Sequence, residues 1–409
     1  MALRRGSTTR DNRRGAAAGF AFAVAGRRGA AIAAIASVGL LAACSGAGGS
    51  ASGGHANAGY GISVGAPTSG QGGGTGGTGT GGAGRGGAGR GGAGTAGGGP
   101  VTSGSTGHPG KITIALSPGT GTDPFSVAMM IGAEAEARKL GVRLVWQASS
   151  QVYSAAAQVP IAGRLLAGHP SALVIAPTDP YALQPVVRQA VHGRIPVVNV
   201  DSHVGHMARV LSFITGSNAK GGAAAATALA SAMHYRRGQR YQVAVAMTAP
   251  TATAESARLA GFRARLASSY PGITIVAVAY SAGLTSLATA DVSRWLHAYP
   301  HLSGLFAIDA TDATGAAQAL RVRGLAGRLP LVGYDASAAE VTLLRRHVFA
   351  ALIAQQPAAE GRLAVAAVVR YLRAGRSATG IARTVVLPNI VLTPATPASV
   401  LARYTYPVG

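Results

Sequence analysis

The sequence predicts an α/β fold made of two doubly wound lobes, each built on a parallel sheet. Two observations carry this prediction. From Lys111 onward, short apolar runs rich in β-branched residues alternate with segments of helical spacing, at about 30 residues per unit. The alternation then begins again near residue 216, so the chain carries two such halves in succession.

The first half opens with KITIAL, a short run whose β-branched residues favour a strand. The segment that follows has helical spacing, an ion pair between Glu134 and Arg138 four residues apart, and Gly141 as a stop. The same pattern repeats to residue 200. The predicted strands are 111–116, 143–146, 172–177 and 196–200, and the predicted helices are 128–141, 154–167 and 180–192.

The second half repeats this order with a longer series of strands. The apolar runs YQVAVAM and ITIVAVAY predict strands. The run FAALIAQQP (349–357) ends in polar residues in the same way as the strands before it. The predicted helices are 216–233, 255–268, 285–298 and 312–323, and the predicted strands are 241–247, 273–280, 304–309 and 329–335.

Polar residues follow several of these strands directly. Asp201, Asp309 and Asp335 stand just past strand ends, Asp123 lies on the loop after the first strand, and Gln355 ends the last run. In open α/β sheets ligands bind outside the carboxyl ends of the strands, so these side chains are expected to line one cleft. The alternative for each Asp is a cap on the helix that follows. Four acids at equivalent positions, from 13 in the whole chain, favour the cleft.

Composition excludes one broad class of partner. The formal net charge is +23, which by itself could indicate binding to nucleic acid. The basic residues are mostly Arg scattered singly, however, and no aromatic residues interleave with them as a base-stacking surface requires. The charge therefore indicates a compositional bias, and no nucleic-acid partner is expected.

The first 110 residues resemble an export signal followed by a tether. Residues 1–28 carry seven Arg and one acid, and a short apolar run then ends in Leu-Ala-Ala-Cys at Cys44. These letters resemble the bacterial lipobox, which implies lipidation of Cys44; an uncleaved membrane anchor is the alternative. Residues 45–110 hold 30 of the 60 glycines and no acid, which predicts a disordered tether. Export by the general or the twin-arginine route stays open.

The sequence offers little support for an enzyme or a metal site. No G-x-S-x-G, H-E-x-x-H or phosphate-binding loop occurs in 111–409. His203 and His206 have H-x-x-H spacing near Asp201, but surface loop histidines are the preferred interpretation. Asp309 and Asp312 could form a catalytic carboxylate pair, although Asp312 is expected to cap a helix. No catalytic residue, metal or cofactor is therefore predicted.

Short motifs in a fixed order carry a family resemblance over about residues 111–395. They include DPF at 123–125, IPVVNVDS at 195–202, SARLAGF at 256–262, LVGYDA at 331–336 and IAQQP at 353–357. Together they resemble the periplasmic sugar-binding proteins of ABC transporters, of the ribose/galactose type, whose type I fold is shared with the effector domains of LacI-type repressors. A repressor is disfavoured because residues 1–110 offer no helix-turn-helix.

The resemblance implies a site and an architecture. A three-segment hinge is expected near 209–217, 335–355 and 383–390. The first lobe is expected at about 111–213 and 355–384, the second at about 214–354 and 385–395, with a tail at 396–409. The residues implied in ligand binding are Asp123, Phe125, Asp201, Arg258, Asp309, Asp335 and Gln355.

By the same resemblance the protein is a monomeric lipoprotein on the outer face of the cytoplasmic membrane. It delivers a sugar or polyol to an ABC permease. The alternatives are a binding protein that reports to a sensor kinase or chemoreceptor, and a binder of a cationic non-sugar solute.

Four departures from the family pattern bear on the ligand. Ser126 and Gly283 stand where the family has aromatic residues, Ser202 where it often has Arg, and Asp309 where Asn is common. These changes remove stacking surface and a cation and add an acid. The cleft is therefore expected to prefer a neutral polyol or a ligand of cationic character, such as an amino sugar. Sugar phosphates and sugar acids are expected to be rejected.

Overall fold

A computed structural model of the protein describes residues 101–106, 112–150 and 153–408. The predicted signal at 1–44, with Cys44, and the predicted tether up to residue 100 lie outside the described residues. Within the described ranges, no helix has both the length and the apolar character that crossing a membrane requires.

Strands and helices alternate along the described chain. The strands are β1 (Val101–Thr106), β2 (Thr113–Ser117), β3 (Arg143–Ser149), β4 (Ala172–Ile175), β5 (Val197–Val200), β6 (Ser212–Gly216), β7 (Tyr241–Met247), β8 (Ile273–Tyr280), β9 (Leu302–Ala307), β10 (Leu331–Tyr334), β11 (Ala351–Ala354), β12 (Thr384–Leu387) and β13 (Ile390–Leu392). The α-helices are α1 (Pro124–Lys139), α2 (Ala155–Ala167), α3 (Gln184–His192), α4 (Asn218–Ala232), α5 (Thr253–Ser269), α6 (Thr285–Ala298), α7 (Ala310–Val322), α8 (Ala338–Arg345), α9 (Pro357–Arg373) and α10 (Ala398–Tyr404).

The first sheet has the strand order β1-β3-β2-β4-β5-β6-β12. All pairs are parallel except β1 with β3. Alternate residues of a strand point to opposite faces, and both faces are covered here. Leu173 and Ile175 of β4 lie in a core with α2 and α3, whereas Val174 lies in a core with α1 and α9. The continuous apolar runs of the sequence therefore reflect a sheet covered by helices on both sides.

The second sheet has the order β13-β11-β10-β9-β7-β8, parallel except for β13 against β11. In β7, Val243, Val245 and Met247 pack with α4 and α5, and the intervening Ala244 and Ala246 face α6 and α7. The predicted fold of two doubly wound parallel lobes is thereby confirmed.

One part of the predicted tether is ordered. Residues 101–106 form β1, which pairs antiparallel with six of the seven residues of β3, from Val101–Ser149 to Thr106–Leu144. The prediction of a tether to residue 110 was therefore wrong over this stretch. The segment VTSGST has a higher β-propensity than the glycine-rich residues before it, and β3 offers it an otherwise unpaired sheet edge.

The chain passes between the sheets at three places, near Ser217, at 355–356 and at 388–389. The first lobe is accordingly 101–216 with 357–387, and the second lobe is 218–354 with 390–392. Hydrogen bonds join the crossings to each other. Gln356 Nε2 donates to the carbonyl oxygen of Pro388 at 2.9 Å, and Asn389 Nδ2 donates to that of Ser217 at 3.3 Å.

Candidate functional site

A cavity of about 330 Å³ lies where the carboxyl ends of both sheets meet. Its polar lining comes from the loops after β2, β3 and β5 in the first lobe and after β7, β8, β9, β10 and β11 in the second. Every residue that the sequence proposed for ligand binding lines this cavity. They are Asp123, Phe125, Asp201, Arg258, Asp309, Asp335 and Gln355.

Two of the aspartates cap helices and also face the cavity. Asp123 Oδ2 accepts a hydrogen bond from the Ser126 backbone N–H at 2.9 Å, at the start of α1. Asp309 Oδ1 accepts from the Asp312 N–H at 2.7 Å, at the start of α7, and its Oδ2 accepts from Thr248 Oγ1. The capping alternative and the cleft interpretation therefore hold together, because the cap fixes the carboxylate at the cavity wall.

Asp312 itself does not cap α7, contrary to the sequence prediction. It stands in the first turn of the helix, fully buried, and its backbone N–H is the donor that Asp309 caps. The sequence could not separate the two, because both acids lie near the expected start of the helix.

Asp201 and Asp335 are held in a different way. Both follow strands directly and adopt the left-handed backbone region, with φ of 60° and 83°. A non-glycine residue in this region costs free energy, and such residues concentrate at functional sites. This conformation turns each carboxylate out of the sheet and into the space between the lobes.

Asp335 belongs to a network that joins the second lobe to the crossing at 355–356. Its Oδ1 accepts from Gln355 Nε2 at 2.6 Å and from the Tyr406 hydroxyl at 2.7 Å, and its Oδ2 accepts from the Ala310 N–H at 3.1 Å. Tyr406 lies in the segment predicted as a tail at 396–409, yet it is buried. The C-terminus thus supports a residue of the cavity.

Arg258 is the one basic side chain among the described residues that line the cavity. Its guanidinium donates to Asn218 Oδ1, the Ile308 carbonyl oxygen and Gln355 Oε1 at 2.8 to 2.9 Å. It also stacks on the Tyr334 ring, 4.0 Å from the centroid. Asp201 Oδ1 in the first lobe lies 3.8 Å from Nη2. These contacts hold Arg258 in the second lobe, with its Nη2 facing Asp201 of the first lobe.

Two lining residues were missed by the sequence analysis. Glu255 stands in the first turn of α5, after β7, and Tyr153 follows β3. Tyr153 occupies a strand-to-helix connection, so the rule that found the other residues could have found it, whereas Glu255 lies inside the helix that follows such a connection. Hydroxyl side chains complete the polar lining, namely Thr120, Thr122, Ser126, Ser202, Thr248, Thr285, Thr311 and Thr314.

Tyr153 partly replaces the aromatic surface that the sequence appeared to lack at Gly283. Gly283 has φ of +74°, and a Cβ built on it lies 3.0 Å from Tyr153 Cβ. Absence of a side chain at Gly283 therefore leaves room for Tyr153 to approach from the first lobe. With the buried Phe125, two aromatic rings contribute to the cavity wall.

Burial and mutual repulsion shift the acids of the cavity towards their neutral forms. Burial, reinforced by the charges of Asp335 and Asp309, raises the pKa of Asp123 to about 7. Burial also raises the pKa of Asp201 to about 6, against the opposing effect of Arg258. The pKa values of Glu255 and Asp335 are raised by burial as well. The ligand-free cavity therefore holds protons near neutral pH.

His203 and His206, which the sequence analysis considered as a metal site, do not belong to a group of three or more metal-compatible side chains among the described residues. The imidazole of His203 packs edge-on against Phe213. Among the described residues, a group of metal-compatible acids is found instead at Glu255, Asp309 and Asp312, whose ligand oxygens lie within 4.8 Å of one another.

Comparison with known proteins identifies a shared domain. The family model described as "Periplasmic binding protein domain" matches residues 114–377. The ribose import binding protein RbsB of Bacillus subtilis is 27% identical over 265 residues, covering 64% of this chain and 82% of that protein. The D-ribose/D-allose-binding protein of Pseudomonas aeruginosa is 30% identical over 234 residues, covering 56% and 72%.

Solved structures give the same result for the fold. An ABC transporter solute-binding protein from Agrobacterium vitis, bound with α-D-tagatopyranose, superposes with a TM-score of 0.68 at 28% identity, covering 73% of this chain and 100% of that one. A carbohydrate transporter solute-binding protein from Agrobacterium radiobacter, in complex with D-arabinose, superposes with a TM-score of 0.67 at 24% identity, covering 73% and 99%.

Proposed function

The chain belongs to the periplasmic binding protein domain family, and on that premise we propose that it is the solute-binding component of an ABC importer. Its ligand is a monosaccharide or a related polyol, bound in the cavity between the lobes. The observation that carries the proposal is the convergence of strand-end carboxylates, Arg258 and Gln355 from both lobes on one cavity. The relatives described above, which are named for ribose and allose or contain bound tagatose, support the same ligand class.

The chemistry of the lining suits a polyhydroxylated ring. An ionised carboxylate accepts hydrogen bonds from two neighbouring hydroxyl groups, and a guanidinium donates as a fork to oxygen atoms. We assign these roles to Asp123, Asp201, Asp309, Asp335 and Arg258, with Gln355 able to donate and to accept. Phe125 and Tyr153 offer faces for the apolar side of the ring.

The described conformation is a closed one, which fits a protein that encloses its ligand. The His203 N–H of the first lobe donates to Thr253 Oγ1 of the second at 2.9 Å, and the Ala254 N–H donates back to Ser202 Oγ at 3.4 Å. We propose that these contacts break when the lobes rotate about the three crossings. The closed form is then the state that a membrane permease recognises.

Export and anchoring complete the proposal. The basic segment, the apolar run and the lipobox-like ending support lipidation of Cys44, with the tether holding the lobes away from the outer face of the cytoplasmic membrane. The protein acts as a monomer without nucleic acid, metal or catalysis. A Cys44→Ala variant is expected to leave the membrane fraction for the soluble extracytoplasmic fraction. Retention of that variant in the membrane would favour an uncleaved anchor instead.

A thermal-shift screen of pentoses, hexoses, amino sugars, polyols and sugar acids tests the ligand class. A ligand that binds only the folded state raises the melting temperature by mass action. We expect a rise with one class of sugar or polyol, and its loss in the Asp201→Ala and Asp335→Ala variants. If no sugar or polyol raises the melting temperature of the wild-type protein, the proposed function is wrong.

A further inference from the structure

One corner of the cavity concentrates carboxyl groups beyond what hydroxyl recognition needs. Glu255 in the first turn of α5 and Asp309 at the N-cap of α7 line the cavity there, and Asp312, one turn further, is buried behind them. One oxygen of each of these carboxyl groups lies within 4.8 Å of the others, and Thr248 lies among them. We refer to Glu255, Asp309 and Asp312 as the acidic corner.

The protein itself provides few hydrogen bonds to these carboxyl groups. Glu255 Oε2 accepts from the Thr248 N–H at 2.8 Å, and Asp309 accepts from the Asp312 N–H and from the Thr248 hydroxyl. Asp312 is 0% exposed, and its Oδ1 accepts no hydrogen bond from any described residue. A buried carboxylate oxygen without a donor is costly, so its presence requires an explanation.

No ion pair joins the acidic corner to a basic residue of the described cavity lining. Burial raises the pKa of Glu255, although the charge of Arg258 opposes this rise. Arg258 is the single basic residue there, and its guanidinium is bonded to Asn218, Ile308 and Gln355. Its nearest ion-pair partner is Asp201, on the opposite lobe. In all, five carboxyl groups line the cavity against this one cation: Asp123, Asp201, Glu255, Asp309 and Asp335.

We propose that the acidic corner binds a cationic group of the ligand, so that the preferred solute is a sugar or polyol carrying an ammonium group. This inference rests on the proposed function and narrows it. An ammonium group has three N–H donors and no acceptor, which suits the Glu255 and Asp309 carboxyl groups at the cavity wall, and the buried Asp312 places a third carboxyl group within 4.8 Å of them. A hydroxyl group supplies one donor and no charge. Sugar acids and sugar phosphates meet repulsion at the same place.

Calorimetric titration of the full chain with matched ligands tests the inference. Each amino sugar or amino polyol is compared, at about pH 7, with its hydroxyl parent and its N-acetyl derivative, as in glucosamine, glucose and N-acetylglucosamine. The panel varies the position of the amine and the configuration of the ring. For the best-bound series we expect the amine to bind at least about tenfold more tightly than either neutral compound.

The outcomes separate the inference from the proposed function. If a neutral parent binds as tightly as its amine, or more tightly, the inference is wrong and the proposed function stands. If no sugar, polyol or amine in the panel binds, both are wrong. Calcium chloride is titrated alone into protein treated with a chelator. Binding of Ca²⁺ that is lost in Asp312→Asn would assign the corner to a metal ion and overturn the ammonium site.

Neutral isosteres locate the preference in the acidic corner. In Asp312→Asn and Glu255→Gln, we expect the affinity ratio of amine to parent to fall about tenfold towards unity. Asp291→Asn is the control, because Asp291 is an acid of the same lobe that pairs with Arg294 and does not line the cavity. That variant is expected to leave the ratio as it is in wild type. Unchanged ratios in both corner variants, with melting temperatures that indicate folded protein, would overturn the inference.

Discussion

At the scale of single residues, the account depends on carboxyl groups that the backbone directs into the cavity. Asp201 and Asp335 each follow a buried strand and adopt a left-handed backbone conformation, which is unfavourable in free energy for a residue other than glycine. Asp335 is the better connected of the two, with hydrogen bonds from Gln355, Tyr406 and Ala310. Its side chain is thus fixed before a ligand arrives.

Replacing Asp335 by Asn tests this preorganisation. The two carboxylate oxygens of Asp335 accept hydrogen bonds from three protein groups. The Asn side chain has an NH₂ donor in place of one oxygen, so these hydrogen bonds must rearrange. We expect ligand affinity to fall about 100-fold, equivalent to the loss of one or two hydrogen bonds to a charged group. Isothermal titration measures this change. Asp291→Asn, which removes a carboxylate paired with Arg294 at the surface, is the control and should leave affinity unchanged. Equal affinities in both variants would contradict the role of Asp335.

The site residues could be predicted because the topology places them. A polar residue after a buried run marks the cleft edge, and this rule identified Asp123, Asp201, Asp309 and Asp335 without coordinates. Glu255 was missed because it lies in the helix that follows the loop. The hydrogen-bond partners of each carboxylate could not be predicted either. Those of Asp335 lie 20 to 71 residues away in the sequence, and only tertiary structure brings them together.

At the scale of secondary-structure elements, Asp309 has two separable functions. Its Oδ1 caps α7, and the carboxylate as a whole carries charge at the cavity wall. Ser can replace the cap but not the charge, whereas Ala replaces neither.

The Asp309→Ala variant is therefore expected to lose about 1 kcal/mol in the free energy of unfolding, and Asp309→Ser to lose much less. Both variants should lose ligand affinity to a similar extent. Urea denaturation and calorimetry measure the two effects separately. If Asp309→Ser kept wild-type affinity, a helix cap at this position would suffice for ligand binding. The carboxylate of Asp309 would then have no part in it.

Most of the long strands and helices were predicted from the sequence, because apolar runs of six or more residues leave few alternatives. The helices α8 and α9 were missed, although α9 has 17 residues. Short edge elements were not predicted either. β12 and β13 have four and three residues and are partly exposed, so their sequences carry no clear period. β6 was missed because its short apolar part is flanked by polar or small residues, as in SFITG. β1 was missed because pairing with β3 stabilises it, rather than its own residues.

At the scale of the whole molecule, the cavity makes stability depend on pH in an unusual direction. The pKa values of Asp123 and Asp201 in the folded state, about 7 and about 6, lie above the ordinary value of 3.8. A group whose pKa rises on folding contributes stability below its unfolded pKa, and that contribution is lost as pH rises through the folded pKa. For these two residues the loss falls between about pH 4 and pH 7.

The melting temperature of the ligand-free protein should therefore decline between about pH 4 and pH 7 more steeply than that of the Asp123→Asn/Asp201→Asn double variant. Differential scanning calorimetry across this range gives both slopes. The comparison with the variant is needed because acid also charges the histidines of a chain whose formal net charge is already +23. Parallel slopes for the two proteins would show that these carboxyl groups are ionised in the folded state.

The central claim is that the space between the lobes holds the solute, and a crystal structure of the protein with its best ligand from the thermal-shift screen tests it most directly. The account predicts one ring in the cavity, with hydroxyl groups bonded to Asp201 and Asp335 and a face against Phe125 or Tyr153. A ligand bound elsewhere on the protein, with this cavity containing only solvent, would contradict it.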